Sequence, residues 1–247
     1  MKEILAFIDA KKQEFAHLPL LKFMQDTSIE PIQRLAWSPC ATPFIMGFGE
    51  LNKYAFRDLT SNDPIQIIIN KHTEEDDHHW LWFLSDMEKL GFDCSLKFSD
   101  TVKFLWDEET QIPRWVIHQL FFYAWKSDPL HKLVIIEVLE STGNIVFAHA
   151  TKVAQELQVL TGDKYLYFGG FHLAVETGHT TGTDNIETSL QSLELTPVQS
   201  QSALELAEKI FALITELVNA LFQYAITHNQ QLELKQISPI NNTVSAA

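Results

Sequence analysis

Residues 197–229, PVQSQSALELAEKIFALITELVNALFQYAITHN, carry apolar side chains at Leu204, Ile210, Phe211, Ile214, Leu217, Val218, Leu221 and Phe222. Intervals of three and four residues are the helical period. A striped helix this long buries its stripe only by packing against several others. Thr196-Pro197 at its start pairs a capping side chain with a proline suited to the first helical position. The same period predicts helices at roughly 2–16, 31–38, 42–59, 64–90, 100–109, 113–126, 129–157 and 163–180. Glycine is scarce, at nine residues, and no Asn-Gly or Asp-Gly pair marks a hairpin. The reading is all-α: a single helical bundle domain over residues 1–231 and a loose polar tail over 232–247. Residues 181–196 are polar and turn-like, and no internal repeat is present.

Charge narrows the partners. The 32 acids against 18 bases leave a net charge of −14, and no basic patch appears. That balance argues against nucleic acid or an anionic membrane surface, both of which attract Lys and Arg clusters. The N-terminal MKEILAFIDAKKQEF interrupts its apolar residues with charge, so it reads as an amphipathic helix and not a signal peptide. No apolar run approaches the ~20 residues of a membrane span. Cys40 and Cys94 show no ligand-type spacing, which suits reduced thiols in a cytoplasmic protein.

Two stretches carry imidazole and carboxylate at helical spacing. On a continuous helix 64–90, His72, Glu75 and His79 fall within about 60° of one another. Asp76 lies about 40° from His72, and Asp77 about 140°. Glu74, Asp77 and His78 read as a solvated face of TEEDDHH. In FHLAVETGHTTG (171–182), His172, Glu176 and His179 share an edge in the same way. Between them, VIIEVLESTGN places Glu137 and Glu140 in an apolar helix. Buried carboxylates and imidazoles require partners. Facing helices satisfy them either by pairing Glu with His or by holding a metal, since imidazole and carboxylate suit iron, manganese and zinc.

These residues resemble a known family. HLPLLKFM (17–24), HHWLWFLSDMEKLG (78–91), VLEST (138–142) and HLAVETGH (172–179) are similar to segments of the haem-oxygenase-like superfamily. The likeness is to its CADD-like branch of non-haem di-iron oxidases, near the TenA and pyrroloquinoline-quinone C proteins, and it covers residues 15–230. It implies a haem-oxygenase-like bundle holding two iron ions, with manganese or zinc as substitutes and no haem. Its implied ligands are His172, Glu176 and His179, Glu140 as a bridging carboxylate, and Glu75 with His79 from the early helix. The early half departs from the family pattern: either Glu75 takes its role with His72 as an extra ligand or supporting group, or the half-site is altered, which leaves a single-metal site open; Glu137 is a further candidate.

The resemblance implies an oxidase or oxygenase acting with dioxygen on a small organic substrate, in a chain able to pair as a homodimer. Trp82, Phe83, Tyr165 and Phe168 are candidate pocket walls, alongside Trp80 and Tyr167. Two rivals stand beside this reading. One is a non-enzymatic helical interaction protein with a His/Glu polar core. The other is a TenA-like or cofactorless enzyme, which would need Cys40 or Cys94 as a nucleophile.

Overall fold

Capping side chains set where the helices begin. Asp63 accepts from the backbone N–H groups of Ile65 and Gln66 at 2.8 and 3.2 Å ahead of Pro64. Asp128 accepts from His131 N–H at 3.0 Å ahead of Pro129, and Thr196 closes a capping box with Gln199 ahead of Pro197. Each supplies an acceptor for N–H groups that a first helical turn leaves unsatisfied. The computed structural model describes residues 1–92, 97–180 and 193–229, and for 176–180 the backbone alone. Cys94 and the tail at 232–247 lie outside the described residues.

The helices are α1 (Lys2–Phe15), α2 (Pro19–Gln25), α3 (Pro31–Arg34), α4 (Ser38–Leu51), α5 (Pro64–Asp76) and α6 (Trp80–Lys89), then α7 (Phe98–Trp106), α8 (Gln111–Ala124), α9 (Pro129–Thr161), α10 (Gly170–Thr180) and α11 (Pro197–His228). A π-helical turn (Asn52–Phe56) follows α4, and a 3₁₀ turn (Glu108–Thr110) precedes α8. Among the described residues there is no strand, so the chain is all-α. The long helices α9 and α11 pack on each other, and α1, α2 and α8 pack against both. By length and composition α9 and α11 are each apolar enough to cross a membrane, contrary to the sequence expectation. Here Val134, Ile135 and Val138 of α9 and Ile210, Ile214 and Val218 of α11 are buried core.

Three departures from the periodicity matter for the site. Pro19–Gln25 is helical although its seven residues are too short to show a period. The expected helix over 163–180 begins only at Gly170. Residues 162–169 instead form a turn, held by Asp86 of α6. The fully buried Asp86 carboxylate accepts from the backbone N–H groups of Leu166, Tyr167 and Phe168 at 2.8, 2.8 and 3.0 Å. Burial pushes its carboxyl upward, and the three N–H bonds pull the other way without cancelling the shift.

The third departure divides the helix expected over 64–90 into α5 and α6, with a turn at residues 77–79. Arg57 causes much of this: its guanidinium donates to Thr73 O at 2.6 Å and to Asp77 Oδ2 at 2.8 Å. The Thr73 carbonyl is also the one that the Asp77 N–H would use in a continuing α-helix, so the guanidinium grips the chain where α5 ends. The main chain of α4 presses on the same turn. A Cβ on Gly49 would lie 2.8 Å from Asp77 O, closer than side chains tolerate.

The Asp86 clamp yields a stability test. Replacing Asp86 with Ala strands three backbone donors, each costing ~1–3 kcal/mol. Asp86→Ala is expected to lose about 3 kcal/mol or more in urea unfolding, with the denaturant slope unchanged. A loss below about 1 kcal/mol would contradict the clamp.

Candidate metal centre

One backbone carbonyl sets α5 beside α9. Phe56 O accepts from Gln66 Nε2 of α5 at 2.9 Å and from buried Lys132 Nζ of α9 at 3.0 Å. His72 stands six residues further along α5 and Glu140 eight residues further along α9, and their side chains meet. His72 Nε2 lies 3.0 Å from Asp76 Oδ2 and 3.3 Å from Glu140 Oε1. One donor atom from each of His72, Asp76 and Glu140 falls within 4.8 Å of the others. Asp76 and Glu140 are buried, and His72 is largely so.

A second imidazole pair adjoins this group. His79 Nδ1 is 3.9 Å from Asp76 Oδ1 and 3.1 Å from His172 Nε2. Asp76 therefore presents one oxygen towards His72 and the other towards His79. His172 Nδ1 is 2.9 Å from Tyr167 O. A carbonyl only accepts, so Nδ1 of His172 carries a proton, and in the neutral ring Nε2 presents its lone pair towards His79. A histidine oriented by a backbone carbonyl in this way is the usual arrangement of a metal-ligating imidazole. Asp86 builds the turn that supplies that carbonyl, so α6 fixes both His79 and, through Tyr167, His172.

The donor set fits a cation. Imidazole nitrogen with carboxylate oxygen suits iron, manganese or zinc. Ligand atoms each ~2.1 Å from one ion lie about 3 Å apart when adjacent, close to the His72–Asp76 and His72–Glu140 separations. The group could hold a metal ion.

The expected ligands divide. His72, His79, Glu140 and His172 are brought together. Glu75 is exposed on α5, and Asp76, the next residue, enters the cluster. The expected stripe ran straight on to His79, and the turn at 77–79 breaks it there; within α5 itself the buried side is the one that carries Asp76 and not Glu75. Asp76 was missed within the charged run TEEDDHH, although its four-residue step from His72 puts both on one helix face. Glu137 is half-buried on α9. The side chains of Glu176 and His179 lie outside the described residues.

Beside the cluster opens a pocket of about 130 Å³, reached by Asp76, His79, Glu140 and His172 and walled largely by apolar side chains from α4, α9 and α11. Trp80 and Tyr167 line it. Trp82, Phe83, Tyr165 and Phe168 do not. Trp82 stacks on the His79 ring, with centroids 4.3 Å apart. Phe83, Tyr165 and Phe168 are core. Cys40 is buried, its thiol donates to Glu109 O at 3.1 Å, and burial pushes its pKa up to about 12. A thiol so protonated is a poor nucleophile at neutral pH, which counts against a TenA-like role for it.

The chain matches no protein-family model and no curated protein.

Electrostatics make the cluster a demand for positive charge. Burial alone would lower the pKa of His72, but the carboxylates of Asp76 and Glu140 outweigh it and raise the imidazolium to about 11. A base whose pKa rises on folding stabilises the fold below its ordinary value near 6.5. That contribution fades as pH climbs from there through the folded value. Metal-free protein, kept with chelator, should therefore lose stability between pH 6.5 and 9 by up to ~1.4 kcal/mol per pH unit. The His72→Gln variant should show a flatter profile over the same range. Parallel profiles for the two proteins would refute the charge pairing.

Proposed function

We propose that this chain is a non-haem iron protein of the haem-oxygenase-like, CADD-like type that uses dioxygen to oxidise a small organic substrate. The observation that carries this reading is the buried His72–Asp76–Glu140 group opening onto an apolar pocket. In the proposal, His72, Asp76 and Glu140 hold one ion, and His79 and His172 serve a second on the other side of Asp76. Bound ferrous iron would supply the electrons for reducing dioxygen. The chain's own residues do the rest. Tyr167 O holds His172 in the tautomer that offers Nε2, the carboxylates balance charge, and the aromatic walls limit water.

A second reading has its own support. His72 already lies within ion-pair distance of both carboxylates, so a protonated imidazole could satisfy this core without metal. That arrangement would suit a helical interaction protein.

Anaerobic loading with ferrous iron separates them. The oxidase reading expects stoichiometric iron retained after desalting, oxygen consumption on exposure to air, and loss of both in Asp76→Ala and Glu140→Ala. Since each variant removes one buried carboxylate from a three-donor group, iron affinity should fall by about ten- to a hundredfold or more. No retained iron, manganese or zinc in wild-type protein would leave the ion-paired core as the account.

A further inference from the structure

Gly143 stands one turn after Glu140, in the middle of α9. A glycine in a helix interior destabilises the helix relative to alanine, so its presence requires a reason. Close backbone approach is the usual one, as at Gly49. It does not apply here. Among the described residues, a Cβ on Gly143 would meet only the Phe147 ring, at 3.8 and 4.0 Å, which is ordinary contact. What Gly143 borders is the pocket beside the metal group. Its missing side chain therefore leaves space where the apolar walls of Phe44, Phe48, Val146 and Leu217 face the ligand-bearing end at Glu140 and His172.

The chemistry of that space selects what can enter. Among the described residues its lining contains no Lys or Arg, and its charged groups are the carboxylates of Asp76 and Glu140. An organic anion would be desolvated there with carboxylates beside it and no Lys or Arg to pair with, and the nearby His72 already lies against both carboxylates. A volume of about 130 Å³ is close to that of a dry engineered cavity of ~150 Å³ that binds benzene.

We infer that Gly143 keeps open a chamber for a neutral, apolar molecule or substrate moiety of about the size of a benzene ring, with its reacting end towards Asp76 and Glu140. The reacting end rests on the oxidase reading above. The binding itself needs no metal.

The test uses the full chain in chelator, with toluene and benzoate as probes and saturation-transfer NMR titration as the readout. Toluene is expected to bind saturably, and benzoate about tenfold more weakly or worse. Gly143→Leu, which fills the chamber, should weaken toluene about tenfold or more. Should that variant fail to fold, Gly143→Ala carries the test, because its methyl meets only ordinary contacts. It is expected to melt at a higher temperature than wild type while binding toluene more weakly. Toluene binding that is absent from wild type, unchanged in the glycine variants, or matched by benzoate would overturn the inference. Toluene binding without iron retention would sink the oxidase reading alone, and iron retention without toluene binding would sink the chamber alone.

Discussion

The carboxylate of Asp76 is buried between two imidazoles, with a second carboxylate, Glu140, beyond the first of them. Two acids removed from water need compensating positive charge nearby, because an unpaired buried charge costs several kcal/mol. The molecule meets that need with a proton on His72 when no metal is bound, and the proposed iron would take over the same role. Proton and metal then compete for one nitrogen, which is how imidazole sites ordinarily couple binding to pH. Much of the surrounding architecture serves to hold these few groups in register.

That register comes from polar contacts made at a distance from the cluster. Phe56 O ties α5 to α9, Arg57 ends α5 after Asp76, and Asp86 gathers the turn before α10. Each contact exploits a helix end or turn, where backbone groups are available because the helical ladder stops. The packed long helices supply the apolar mass, and these contacts decide which side chains face one another. The pocket belongs to the same design, since its polar end is the cluster and its walls are the bundle core.

The all-α class was legible because the stripe of α11 and its Thr196-Pro197 cap are local signals. His72, Glu140 and His172 were legible as polar residues in apolar helical settings, which is costly unless they act together. Asp76 was hidden by two features. It sits in a run of acids that reads as solvated, and the turn that reorients His79 depends on Arg57, which lies outside that run. The true pocket walls were hidden for a related reason. Phe44, Phe48 and Leu217 come from α4 and α11, and only tertiary packing brings them to Glu140. Gly143 was visible as a letter, but its meaning depends on empty space, which no sequence period records.

The most direct measurement is anomalous diffraction at the iron edge from crystals grown anaerobically with ferrous iron. The account predicts a peak about 2 Å from His72 Nε2 and from a carboxylate oxygen of both Asp76 and Glu140. Crystals soaked in ferrous iron that show no such peak, with His72 still paired directly to both carboxylates, would contradict it.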